Sequence, residues 1–109
     1  MSYAVEITAQ AEADLRGIFE YIAFELQSIQ NAVGQLSRLE KSIYALNEMP
    51  ERFRRYEKEP WFSRGMRIMP VDNYCVFYIL NHEKHVVSVA RVMYGGRDVD
   101  AELAKYTVE

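Results

Sequence analysis

Gly65-Met-Arg-Ile-Met-Pro-Val71, Asn73-Tyr-Cys-Val-Phe-Tyr-Ile-Leu80 and His85-Val-Val-Ser-Val-Ala-Arg-Val-Met93 decide the fold. Each run is rich in Val, Ile, Tyr or Phe, which suit a pleated, half-buried surface, and each reads as a strand. The short polar link Asn81-His-Glu-Lys84 joins the last two as a β-hairpin. By period two, Val87, Val89, Arg91 and Met93 share one face of the last strand, opposite Val86, Ser88, Ala90 and Val92.

Upstream the period changes. Leu15, Ile18, Phe19, Ile22, Ala23 and Leu26 form an apolar stripe at helical spacing, as do Val33, Leu36, Leu39, Ile43 and Leu46, with Pro50 as a stop. The few residues around Gln27 to Gln30 make the pair an antiparallel hairpin, and Gly17 and Gly34 in the helix interiors mark close packing or weaken exposed turns. Glu12 and Asp14 suit the positive end of the first helix dipole. Before that helix, Tyr3-Ala-Val-Glu-Ile-Thr8 reads as a short strand ending at an N-cap threonine. After the last strand, Asp98 to Tyr106 reads as a short C-terminal helix with Val99, Leu103 and Ala104 buried. The expectation is an α+β fold: an N-terminal strand, a helical hairpin, and a mainly antiparallel sheet of about four strands with the hairpin on one face and the other face open.

Composition bounds the rest. A chain of 109 residues, half of them hydrophobic, supports one domain over residues 1–109 with a real core. The longest apolar run, Tyr74 to Leu80, is far shorter than the roughly 20 residues that cross a bilayer. Met1-Ser2-Tyr3 meets Glu6 before any apolar stretch, so neither a membrane span nor a signal peptide is expected. The lone Cys75 excludes an internal disulfide and suits a reducing cytoplasm. His82 and His85 lie on a turn without further ligands, and no metal or cofactor is expected.

The net charge of −3 conceals a segregation. Residues 51–67 hold six basic groups (Arg52, Arg54, Arg55, Lys58, Arg64, Arg67) against three acidic ones, whereas residues 1–50 hold three against seven. A polyanion would be met at that segment, with Arg91 and Arg97 as additions.

The order of elements and a series of fragments resemble the RelE/ParE superfamily of type II toxin-antitoxin toxins. The fragments are Val5-Glu-Ile-Thr8, Ala11-Glu-Ala-Asp-Leu15, Ile43-Tyr-Ala-Leu46 with Met49-Pro50, Gly65-Met-Arg67, Val71-Asp-Asn-Tyr74, Val76-Phe-Tyr78, Val89-Ala-Arg-Val92 and Tyr94-Gly-Gly-Arg-Asp98. The resemblance implies a growth-inhibiting, plasmid-stabilising toxin of the bacterial cytoplasm, neutralised by a cognate antitoxin. Its target is DNA gyrase in ParE-like members and ribosome-bound mRNA in RelE-like ones. It is also compatible with a homodimer or a toxin-antitoxin heterotetramer. A non-catalytic or decayed interaction module on the same scaffold is the alternative.

Metal-free RNA cleavage requires cations and an acid/base group to converge on the scissile phosphate. Cys75 stands where the RelE pattern has a basic residue, and Arg97 matches the late arginine of that pattern. The catalytic candidates are therefore Arg97, Tyr94, Arg67 and Arg91. Arg52, Arg54, Arg55, Trp61 and Arg64 are candidates for contact with the antitoxin or the target. For the arginines the alternative is solvated ion pairing with Asp72, Asp98 or Asp100; for Tyr94 it is edge packing, and for Trp61 anchorage of its loop on the core. Tyr74, Phe77, Tyr78, Phe19, Tyr21 and Phe24 are read as core or hairpin-packing residues. The missing basic residue and the pI near 5.4 favour gyrase over the ribosome.

Overall fold

The computed structural model describes residues 2–96 and 98–106. The element order is β1 (Ala4–Ile7), α1 (Ala9–Glu20), a π turn (Tyr21–Glu25), α2 (Ile29–Tyr44), two 3-10 turns (Ala45–Asn47 and Pro50–Arg52), β2 (Met66–Val71), β3 (Tyr74–Asn81), β4 (Val86–Tyr94) and α3 (Val99–Tyr106). The sheet order is β1-β4-β3-β2, with β1 parallel to β4 and the other pairs antiparallel.

Local chemistry sets the boundaries. Thr8 caps α1 by accepting from the Ala11 N–H at 3.1 Å, and its hydroxyl also donates to the Ala90 carbonyl at 3.2 Å, tying the helix start to β4. Ser28 caps α2 by accepting from Asn31, after Gln27 has turned the chain with a positive φ. Pro70 falls where β2 turns its backbone outward, since the outward Ile68 N–H donates to the Arg54 carbonyl and Tyr56 donates to the Met66 carbonyl. A residue without an N–H suits that position on an edge strand.

Leu15, Leu39, Ile43 and Leu46 from the hairpin pack against Val76, Tyr78, Val87, Val89 and Val92. Each fully buried aliphatic side chain contributes about 1.5–3 kcal/mol. Strict alternation does not survive along β4. The register passes from Phe77 opposite Arg91 to Tyr78 opposite Val89, so Ala90 is the extra residue of a β-bulge. Val87, Val89 and Val92 consequently face the hairpin, while Ala90 and Met93 face the opposite side.

That opposite side is not the open surface expected from the sequence. Met66, Ile68, Phe77, Ala90 and Met93 make it apolar, and Trp61, Tyr56 and Leu103 of α3 cover it. Leaving such a patch in water would forgo its burial energy, and the loop after Pro50 and the C-terminal helix are the elements free to shield it. Tyr56 donates to Asp100, and Lys58 Nζ lies 2.9 Å from the other oxygen of the same carboxylate, which fastens α3 to the loop.

The helical glycines also depart from close packing between helices. A Cβ at Gly17 would meet nothing within 4 Å, and one at Gly34 would meet only the Arg38 side chain of its own helix.

Candidate functional site

Two regions gather the residues singled out above. The first is a groove of about 1040 Å³ between the hairpin and the C-terminal end of β4, with Gly17, Tyr21 and Leu26 on one wall and Tyr74 and Tyr94 on the other. Tyr94, 48% exposed, ends β4 and meets Tyr74 edge to face at 5.9 Å between ring centroids. A Cβ on Gly96 would come 2.5 Å from the Tyr94 ring, which would have to swing aside to admit it.

At the base of this groove Arg91 is 4% exposed rather than part of a positive surface. Its Nε donates to Asp14 Oδ2 at 2.8 Å, its Nη2 to Asp14 Oδ1 at 3.1 Å, and its Nη1 to the Glu102 carbonyl at 2.9 Å. Asp14 Oδ2 also accepts the Val92 N–H at 2.9 Å, a donor that β1 is too short to reach. Sequence reasoning gave Asp14 only a helix-dipole role. The signal was its spacing, since Asp14 lies on the same helical face as Ala11, Leu15 and Ile18. At the rim, Arg38 Nε donates to Asp72 Oδ2 at 2.9 Å and Gln35 donates to the same oxygen, holding the Asp72 carboxyl below the usual range.

The second region is the basic segment. Arg52 donates to the Glu48 and Met49 carbonyls and lies over Phe53; Arg55 donates to the Phe62 carbonyl and lies over the Phe62 ring; Arg64 stacks on Trp61. Trp61 itself is buried, in keeping with the loop-anchor reading and leaving little of it for a partner. Arg67 donates to the Phe53 carbonyl at 2.7 Å and to that of Glu51 at 3.2 Å, so it braces the loop after the 3-10 turn. Among the described residues, Arg52, Arg54 and Arg55 have no carboxylate within ion-pair distance, although the Glu59 carboxyl, held below the usual range first by hydrogen bonds from Ser63, is lowered further by the charge of Arg55.

Of the catalytic candidates among the described residues, Tyr94 ends β4 beside the groove, whereas the two arginines are engaged elsewhere. Arg91 and Arg67 are committed to internal acceptors on different parts of the sheet, and Arg97 lies outside the described residues. Cys75 is half-buried, and burial pushes its thiol further into the neutral form. Tyr21 and Phe24, expected to pack, are exposed on the π turn. His82 and His85 instead flank Tyr3: its hydroxyl lies 3.3 Å from His82 Nδ1 and its ring meets His85 edge to face.

Comparison with known proteins bears on this arrangement. The sequence matches no curated protein. Among solved structures, the fold is similar to a protein of the chromosomal ParDE toxin-antitoxin system of P. aeruginosa, at 14% identity and a TM-score of 0.72, covering 85% of this chain and 96% of that one. It is also similar to a chain of the toxin-antitoxin complex RelBE2 of Mycobacterium tuberculosis, at 20% identity and a TM-score of 0.65, covering 86% and 99%. The isolated E. coli RelE toxin aligns at 19% identity and a TM-score of 0.60, covering 95% and 97%. Finally, the family model described as the ParE toxin of the type II toxin-antitoxin system parDE matches residues 5–99, nearly the whole chain, and on that match the chain belongs to the ParE toxin family.

Proposed function

We propose that this toxin acts on DNA gyrase in the cytoplasm rather than on ribosome-bound mRNA, and that an antitoxin encoded beside it holds it inactive. The observation that carries the choice of target is the fate of the cations. RNA cleavage requires several of them at one phosphate, yet Arg91 is consumed by Asp14 and Arg67 by backbone carbonyls. A neutral thiol, Cys75, occupies the position of the RelE pattern's basic residue. The antitoxin reading is supported by the similarity to chains from the ParDE and RelBE2 systems.

Two assays on the purified chain test the target: gyrase supercoiling, and message integrity in a translating extract. Inhibition of supercoiling with intact message is expected. Codon-dependent cleavage with unimpaired gyrase would overturn the choice. Induction without the adjacent gene should arrest growth, and co-expression should restore it; normal growth at verified expression of folded protein would favour an inert interaction module.

A further inference from the structure

Three faces of α2 separate by helical period. Ala32, Leu39 and Ile43 are buried, and Asn31, Gln35 and Arg38 line the groove. The flank that remains carries Ile29, Val33, Glu40 and Tyr44, all exposed. The first helix continues this outer face. Ile22 and Ala23 of the π turn bury against Ala32, while Gly17 and Tyr21 open onto the groove. Phe24 is left outside both, at the end of a row in which Glu12, Arg16, Glu20 and Phe24 follow one another at intervals of four. Phe24, Ile29, Val33 and Tyr44 are each more than half exposed. One apolar face suffices to hold a surface helix on its own core; a second apolar flank rimmed by charge marks a protein interface.

The charges identify the partner. On this face Glu12, Glu20 and Glu40 stand against Arg16 alone, and from Gly17 to Ser37 the sequence has no basic residue. Among the described residues, none of the three carboxylates has a cation within ion-pair distance. A second copy meeting this face about a two-fold axis would set the same carboxylates against each other. An acidic segment would be repelled here and drawn to the cations of residues 51–67. A surface with an apolar centre and lysines or arginines around it would be attracted, and an enzyme that handles DNA owns such surfaces because it must neutralise phosphates. The carboxylates of the hairpin would stand there in place of phosphates.

We propose that the outer face of the helical hairpin, with Phe24, Ile29, Val33 and Tyr44 framed by Glu20 and Glu40, is the contact with gyrase and seats on a positively charged, partly apolar surface of that enzyme. The proposal rests on the gyrase reading above and adds the surface and chemistry of recognition.

The test uses the full chain and intact gyrase, with inhibition of supercoiling titrated, binding of the protein encoded by the adjacent reading frame followed by calorimetry, and the variants checked by thermal unfolding. Phe24→Ser with Val33→Ser removes apolar contact, and Glu20→Lys with Glu40→Lys reverses the charge. Each pair should raise the concentration needed for half-inhibition severalfold or more, with unfolding temperature and binding of the adjacent protein close to wild type. If the first pair lowers the unfolding temperature, Tyr44→Ser replaces it. Inhibition within twofold of wild type by either pair overturns the contact and leaves the gyrase reading intact. Equal loss of binding to the adjacent protein assigns the face to that protein and overturns the proposal, as does a wild-type dimer in sedimentation that the variants dissociate. No inhibition of gyrase by the wild-type chain overturns both the contact and the gyrase reading.

Discussion

Asp14 and Arg91, 77 positions apart, form a two-pronged ion pair at 2.8 and 3.1 Å with almost no exposure to solvent, and the same carboxylate accepts the Val92 N–H. One side chain thus joins α1 to the end of β4 that lies beyond its pairing with β1, and neutralises the buried cation of that strand. Asp14→Ala should destabilise the chain by about 3–5 kcal/mol, the range for removing one partner of a buried pair. Urea denaturation measures it. Arg91→Ala should remove activity only in proportion to the folded fraction lost; a fully folded, inactive Arg91→Ala chain would restore the arginine to the functional surface.

Asp100 accepts from Tyr56 and pairs with Lys58, and both hold its carboxyl below the usual range. A carboxyl whose folded pKa is depressed contributes stability above its unfolded value, about 3.9, and loses it as the pH falls through the folded value. The difference in unfolding temperature between the wild type and Asp100→Asn should therefore be present at neutral pH and close under acid conditions, below the usual aspartate range. An unchanging difference would remove the charge from the explanation.

Burial pushes the Tyr78 hydroxyl up to about 12, so it stays protonated and donates to the Pro50 carbonyl at 2.6 Å. Tyr78→Phe leaves that acceptor without its donor and should cost about 1–3 kcal/mol. Chemical denaturation measures the loss, and the cleavage sensitivity of the loop after Pro50 should rise with it.

Arg52 and Arg55 are two of the three arginines of residues 51–67 with no carboxylate within ion-pair distance among the described residues. Arg52→Glu with Arg55→Glu should slow antitoxin association severalfold at low salt, and added salt should erase much of the difference, because screening acts over about 8 Å at physiological ionic strength. Surface plasmon resonance measures the association rate. An unchanged rate at low salt would remove the basic segment as the docking surface.

The strands and helices were legible because their hydrophobic periods are strong, and Thr8 announced its cap by residue type. The β-bulge at Ala90 was not: no glycine or proline marks it, and it is visible only as a slip between Phe77 and Tyr78 in the pairing of β3 with β4. That slip undid the two-face reading of β4. The shielding of the far side of the sheet was hidden for a different reason. Val99 and Leu103 revealed an apolar helix face but not the surface it would cover. At the site, arginine count suggested a phosphate-binding cluster, whereas the partners that engage Arg67 and Arg91, Asp14 and the carbonyls of Glu51, Phe53 and Glu102, are distant in sequence or belong to the backbone.

The parallel pairing of β1 with β4 has a consequence for timing. Residues 4–7 find their partners at 86–89, so the first strand made must wait for the last. At roughly 5–20 residues per second, synthesis of the intervening 78 residues takes about 4–16 s. During that interval Val5 and Ile7 have no sheet to join, and Asp14 has neither Arg91 nor Val92 to bind. The nascent chain is therefore not yet a folded toxin while most of it is still being made, and an antitoxin molecule has seconds in which to arrive before the fold closes.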